Sequence, residues 1–246
     1  LWVFVVLLVA GLGVVFYFFD PVTTVKENLA EAEYDKIYHQ KPVMTQQGVD
    51  SVLNGLQKLT FNQLDTAYLN YTGYAKPKFK VFVQNRTFYV IKGRDIFKYL
   101  VGKHRIKDFL AKDKYYNYNL NHLDKNGWQY FLIDKQVLYK LLFLKQTLRK
   151  RGYDENAFWI GFGQRHPQLN KEVGGASVSF HIQGKAIDIN ILDIDKDGVP
   201  TKADKKIVMD MLENEIIGKY GGVGRYPWSM TIHFDVRGYY ARWDHQ

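Results

Sequence analysis

SFHIQGKAIDINI (179–191) and MTIHFDVRG (230–238) decide how this chain is read. In KAIDINI, Ile187, Ile189 and Ile191 alternate with Ala186, Asp188 and Asn190. In TIHFDV, Ile232, Phe234 and Val236 alternate with Thr231, His233 and Asp235. A period of two is that of a strand with one covered face, so each segment predicts a strand with an apolar side and a side bearing titratable groups. His181 lies seven residues before Asp188, with Gly184 between them to turn the chain. If the two strands are neighbours, His181, Asp188 and His233 converge. Two imidazoles and a carboxylate suit Zn²⁺, and a fourth position left to water distinguishes a catalytic from a structural zinc site. The bland alternative is a buried histidine paired with a structural aspartate, and spacing alone does not separate the two.

Working outward, Asp134 can cap a helix through QVLYKLLFLKQTLRKRG that Gly152 ends. DIDKDGVPTKAD (193–204) fits a calcium loop, with Asp193, Asp195 and Asp197 at positions 1, 3 and 5, Gly198 at 6, Thr201 at 9 and Asp204 at 12. Against calcium stand the short Asp204 in place of a bidentate Glu, Pro200, and a preceding strand where a helix is usual. The alternative is an Asp/Gly-rich solvent turn.

The N-terminal half reads differently. KFKVFVQNRTFYVI (78–91) alternates and predicts a β-hairpin turning at Gln84–Asn85. Residues 45–70 show helical spacing through Val52, Leu53, Leu56 and Leu59, and 93–113 predicts helices broken near Gly102. Residues 20–44 read as a linker with a short helix. Residues 1–19, LWVFVVLLVAGLGVVFYFF, carry no charge. As a helix they span ~28 Å, close to the ~30 Å hydrocarbon core, which predicts a transmembrane anchor. The bulky run Val14–Asp20 argues against a signal-peptide cleavage site. The chain begins at Leu1, so some of its native N-terminus is expected to be missing. Three Lys and five Asp/Glu in 20–44 make a flank that is not basic, which places the remainder outside the cytoplasm, in the periplasm or cell envelope.

Composition narrows the chemistry. The 246 residues contain no Cys, which excludes disulfides, thiol nucleophiles and thiolate metal sites. The net charge of +9 is local: residues 76–114 hold twelve Lys/Arg and three Asp, leaving 22 bases and 22 acids elsewhere out of 34 and 25. Anionic lipid or a cell-wall polymer is the expected partner of this segment, unless it is merely a solvated basic face; nucleic acid is not expected at an exported location.

Five ordered motifs add a resemblance. S-x-H-x-x-G-x-A-x-D-I (Ser179, His181, Gly184, Ala186, Asp188, Ile189), GQRHPQLN (163–170), Val173-Gly174-Gly175-Ala176, GGVGRYP (221–227) and H-F-D-V-R-G (233–238) with Arg242-Trp243 resemble the D-Ala-D-Ala carboxypeptidase family of zinc peptidases, in its murein peptidase branch. The resemblance covers roughly 120–243. It implies an α+β fold of the hedgehog/lysostaphin type, an antiparallel sheet with helices. With the hydropathy, composition and charge readings above, the chain is expected to divide into an anchor (1–19), a linker (20–44), a small α+β basic accessory region (45–115) and a zinc peptidase-like domain (116–246). The resemblance implies His181, Asp188 and His233 as zinc ligands and peptidoglycan peptides as substrate. It also implies that Arg165 polarises the scissile carbonyl or grips a substrate carboxylate, where the bland reading is an arginine paired with a core carboxylate. Ser179 either bonds substrate or shapes its loop. The chain departs from the family at Met230 and Thr231, where relatives carry an acid or a histidine as general base, and at Phe162, Gln164 and His166, where Ser, Tyr, and Thr or Ser are common. Asp235 then either acts as base or orients a ligand imidazole. The rival function is a non-catalytic scaffold or cell-wall-binding subunit that keeps the fold.

Overall fold

The computed structural model describes residues 21–244. The predicted anchor, 1–19, lies outside the described residues. Among those described, no helix is long and apolar enough to cross a membrane.

The order of elements is α1 (Pro21–Tyr38), α2 (Gln46–Asn54), β1 (Gln57–Leu59), α3 (Thr66–Thr72), α4 (Pro77–Val83), β2 (Phe88–Lys92), β3 (Tyr99–Val101), β4 (His104–Arg105), α5 (Ile106–Phe109), α6 (Lys114–Asn121), β5 (Trp128–Phe131), α7 (Lys135–Lys150), β6 (Phe158–Phe162), α8 (Pro167–Glu172), β7 (Ala186–Ile191), α9 (Lys202–Met211), β8 (Gly222–Gly224), β9 (Thr231–Asp235) and β10 (Ala241–Trp243). The fold is α+β, as expected. The main sheet runs β10-β8-β9-β7-β6 and is antiparallel except at its edge, where β10 runs parallel to β8.

The two decisive segments are neighbours. β7 and β9 pair antiparallel with Asp188 directly opposite His233. Ile187, Ile189, Ile191, Ile232 and Phe234 all enter the main core, so the apolar period dictates which side the titratable groups take. α7 covers that core with Val137, Leu141, Leu144 and Leu148, spaced as one helical face. It starts on Asp134, whose side chain accepts from the Gln136 amide at 3.0 Å.

The N-terminal half corrects three readings. Residues 77–83 form a helix, not the first arm of a hairpin. Pro77 stands at its first turn, where a missing N–H costs nothing, and Phe79 and Val83, four apart, are its buried side. β2 forms, but pairs with β1 and β5. The helical reading of 45–70 holds over Gln46–Asn54 and again from Thr66, but not between: Gly55 ends α2, and β1 follows. The helices expected on either side of Gly102 are instead a 3₁₀ turn (Gly93–Phe97), the β3–β4 hairpin, and the single-turn α5. Gly102 sits at φ +60 in the hairpin turn, where a Cβ would stand 2.2 Å from the Lys145 side chain.

α1 occupies most of the stretch read as a linker and is docked. Tyr34 is buried, Arg105 reaches Glu31 (2.9 Å) and Asp35 (2.7 Å), Lys107 reaches Glu27 (2.6 Å) and Glu31 (2.5 Å), and Arg94 reaches Glu33 (3.0 Å). Part of the basic surplus in 76–114 is thus matched by acids from 20–44. The sheet β1-β2-β5 also spans residue 115, joining the accessory region to the zinc-type half.

Candidate metal centre

Three elements bring the site together. β7 presents Asp188 and β9 presents His233. The 180–184 turn brings in His181, with Gly184 at φ +66 and only 2.4 Å between an added Cβ and the Leu132 carbonyl oxygen. Asp188 Oδ1 lies 2.7 Å from His233 Nδ1 and 3.1 Å from His181 Nε2, and the two nitrogens are 3.1 Å apart. All three side chains are buried.

The outer nitrogens determine what the inner ones can do. His181 Nδ1 lies 2.6 Å from the Gly163 carbonyl oxygen, and His233 Nε2 lies 3.0 Å from Asp235 Oδ2. A carbonyl and a carboxylate only accept, so these outer nitrogens carry the hydrogens. His181 Nε2 and His233 Nδ1 therefore turn lone pairs inward toward the Asp188 carboxylate. Three acceptors converging in a buried space repel unless a proton or a cation lies among them. This donor set, two imidazole nitrogens and one carboxylate oxygen within 4.8 Å of one another, fits zinc.

The electrostatics agree. Burial pushes the His181 imidazole down to about 4, keeping it neutral. Burial opposes charge on Asp188, yet His181 and His233 hold its carboxyl well below the usual range. Burial also opposes charge on His233, but its bonds to Asp188 and Asp235 raise its pKa above the ordinary value, so a proton is held where a metal would bind.

Asp235 lies behind His233. It is fully buried and bonds the ring nitrogen of His233 that points away from the cluster. It receives Arg237 Nε (2.8 Å) and Nη2 (2.6 Å) and the amides of Arg237 (3.1 Å) and Gly222 (3.2 Å). Its carboxylate therefore lies across the His233 ring from Asp188. Arg165 Nη2 lies 3.4 Å from Asp188 Oδ2, with the guanidinium over the Phe162 ring and Nε buried without a partner. Ser179 Oγ accepts from the His181 amide at 3.3 Å, within the same loop.

Of the four calcium-loop acids, Asp193, Asp195 and Asp197 lie within reach of one another. Asp204 does not join them. It is the buried third residue of α9, accepting from Ile194 (2.7 Å), Asp195 (3.0 Å) and Thr201 (2.8 Å) amides, so the calcium reading loses its twelfth position to a helix capping box.

Residues 128–235 match a family model described as Peptidase M15. Over this stretch the chain is similar to the Peptidase M15 family. The match runs from β5 to the end of β9 and contains all three candidate ligands together with Arg165 and Asp235. No curated protein and no solved structure matches the chain.

Several contributors to this centre escaped the sequence reading. Trp243 packs against His233, its ring 5.2 Å away, and Arg237 lies over the rings of Trp243 (4.8 Å) and Phe180 (4.6 Å). The buried Lys205 donates to the Arg225, Tyr226 (2.7 Å) and Ser229 (2.7 Å) carbonyls, fixing the loop that leads into β9. The R-W and H-x-D-x-R-G motifs flag Trp243 and Arg237 as part of the pattern, but not what they touch. Nothing in the local sequence flags Lys205.

Proposed function

We propose that this protein is a zinc-dependent peptidase that hydrolyses peptidoglycan stem peptides, tethered to the membrane by residues 1–19 and acting outside the cytoplasm. The observation that carries the reading is the inward convergence of His181 Nε2, Asp188 Oδ1 and His233 Nδ1, each imidazole locked by a bond to its outer nitrogen. Bound zinc supplies Lewis acidity, polarising a carbonyl and lowering the pKa of water. The chain supplies the rest. Gly163 and Asp235 hold the ligand rings in one tautomer and orientation. Arg165, with an unpartnered Nε beside the cluster, offers charge-assisted donors to a developing oxyanion or to a substrate carboxylate.

One observation favours a second reading. Among the described residues, the carboxylates bonded to the cluster are Asp188, a ligand, and Asp235, which faces away, while Met230 and Thr231 replace the family's base. A non-catalytic module that keeps the metal would look the same. Incubation of the full chain with zinc and muropeptides, read by mass spectrometry, separates the two. Loss of a terminal D-Ala or of a cross-link, abolished in His181→Ala, supports the peptidase. No cleavage with one zinc bound per chain supports the module.

A further inference from the structure

The loop that carries Arg165 is built largely by the other half of the molecule. The Gln164 amide donates to the Phe109 carbonyl at 2.9 Å, and Gly163 is so close to Phe109 that a Cβ would stand 2.5 Å from that oxygen. Arg165 is followed directly by His166, which is 1% exposed and sits 3.1 Å through Nε2 from Oδ2 of Asp113, 9% exposed. The Leu169 amide donates to His166 Nδ1 at 3.1 Å, capping α8. Nδ1 therefore accepts and Nε2 carries the hydrogen, so the histidine is pinned at both nitrogens without needing a charge. Asp113 is pinned in turn: its Oδ1 accepts from the Tyr115 (2.9 Å) and Tyr116 (3.0 Å) amides as the cap of α6. On its other side the Arg165 amide donates to the His181 carbonyl at 3.2 Å, tying the same loop to a metal ligand.

We propose that Asp113, in the basic accessory region, is a positioning residue for Arg165 and acts through His166. The inference rests on the peptidase reading for what Arg165 does, but not for where Asp113 holds it. The accessory region thereby becomes part of the centre's support, and the departure from the common Thr or Ser at His166 gains a reason. A Thr would cap α8 but could not reach across to Asp113. Only the ring spans both, linking the cap of α6 to the cap of α8 with Arg165 held immediately before.

Asp113→Asn is the selective perturbation. Its amide oxygen can keep the α6 cap, but its NH₂ then meets the His166 N–H. A change of tautomer does not help, because Nδ1 would then oppose the Leu169 amide. In the full zinc-loaded chain, D113N is expected to lower kcat/KM on a muropeptide by on the order of tenfold, the cost of a small misplacement near the reacting group. In an Arg165→Ala background the same change is expected to cost less than about twofold, because the group it positions is gone. His166→Thr, which keeps the α8 cap, should match D113N, and the double variant should be no worse than either. Zinc stoichiometry should stay at one per chain. Equal losses in both backgrounds, or loss of zinc in D113N, would overturn the proposal. A second readout needs no turnover: the ¹H–¹⁵N resonance of Arg165 Nε, assigned by its disappearance in Arg165→Lys, should shift or broaden in D113N. An unchanged resonance overturns the positioning role even if the chain cleaves peptides. A moved resonance in a chain that cleaves nothing supports positioning and sinks the peptidase reading alone.

Discussion

Asp235→Asn tests how the centre is held. The carboxylate receives five hydrogen bonds: one from His233, two from the Arg237 side chain, and the amides of Gly222 and Arg237. An asparagine oxygen at the Oδ1 position keeps the two amides and Arg237 Nε. Its NH₂ at the Oδ2 position faces two donors, Arg237 Nη2 and His233 Nε2. The charge is also lost, leaving the largely buried Arg237 guanidinium, 14% exposed, without its counter-ion. Removing one member of a buried pair costs about 3–5 kcal/mol, and the residual exposure of Arg237 favours the lower end, about 3 kcal/mol. For a chain of this size that lowers Tm by roughly 6–12 °C. The outward N–H of His233 loses its acceptor, and zinc affinity should fall about 10–100-fold. Calorimetry of the metal-free chain and competition with a chelating dye give the two numbers. A variant that melts within about 2 °C of the parent and binds zinc within about twofold would refute the assignment of Asp235 as the group that holds His233.

Three further outcomes are expected. Because Asp188 and Asp235 raise the His233 pKa while burial keeps His181 neutral, zinc must displace a proton from His233. Titration calorimetry in buffers of different ionisation enthalpy should show more than about half a proton released at about pH 6.5, and the share that comes from His233 falls as pH rises through its folded pKa. The ion pairs that this proton makes in the metal-free chain follow the same sign: their stabilisation is present at low pH and lost as pH rises. Gly184→Ala places a Cβ against Leu132 at a left-handed φ of +66, so denaturant unfolding should show a loss of more than about 2 kcal/mol, with impaired zinc binding because the turn joins two ligands. Arg105→Ala removes the side chain that bonds Glu31, Asp35 and the Phe97 carbonyl, and should cost about 3 kcal/mol, with hydrogen exchange in α1 accelerating ahead of exchange in β7 and β9.

What was legible in the sequence was whatever a period or a ring of neighbours enforces. Strict alternation in 186–191 and 231–235 leaves one way to bury the isoleucines, and that choice puts Asp188 opposite His233. α7 has both its cap and its stripe within sixteen residues. Where a pattern serves two periods, the reading fails: Phe79 and Val83 lie on one face of a helix, yet the run around them also alternates, and Pro77 was the stronger signal. Contacts made across the chain carry no local mark. Asp113 looks like an ordinary helix cap until His166, 53 residues later, is found against it. The acids of α1 look like a linker's composition until Arg105 and Lys107 meet them. Asp204 fits a calcium register by spacing alone, but the nearby amides of the loop claim its oxygens.

The central claim is that His181, Asp188 and His233 together hold one zinc. Zinc K-edge absorption on the full chain loaded with one equivalent measures this directly. Two imidazole nitrogens and a carboxylate oxygen in the coordination shell are expected, with one imidazole lost in His181→Ala and one in His233→Ala. A shell without imidazole, or one unchanged by either substitution, would contradict the account.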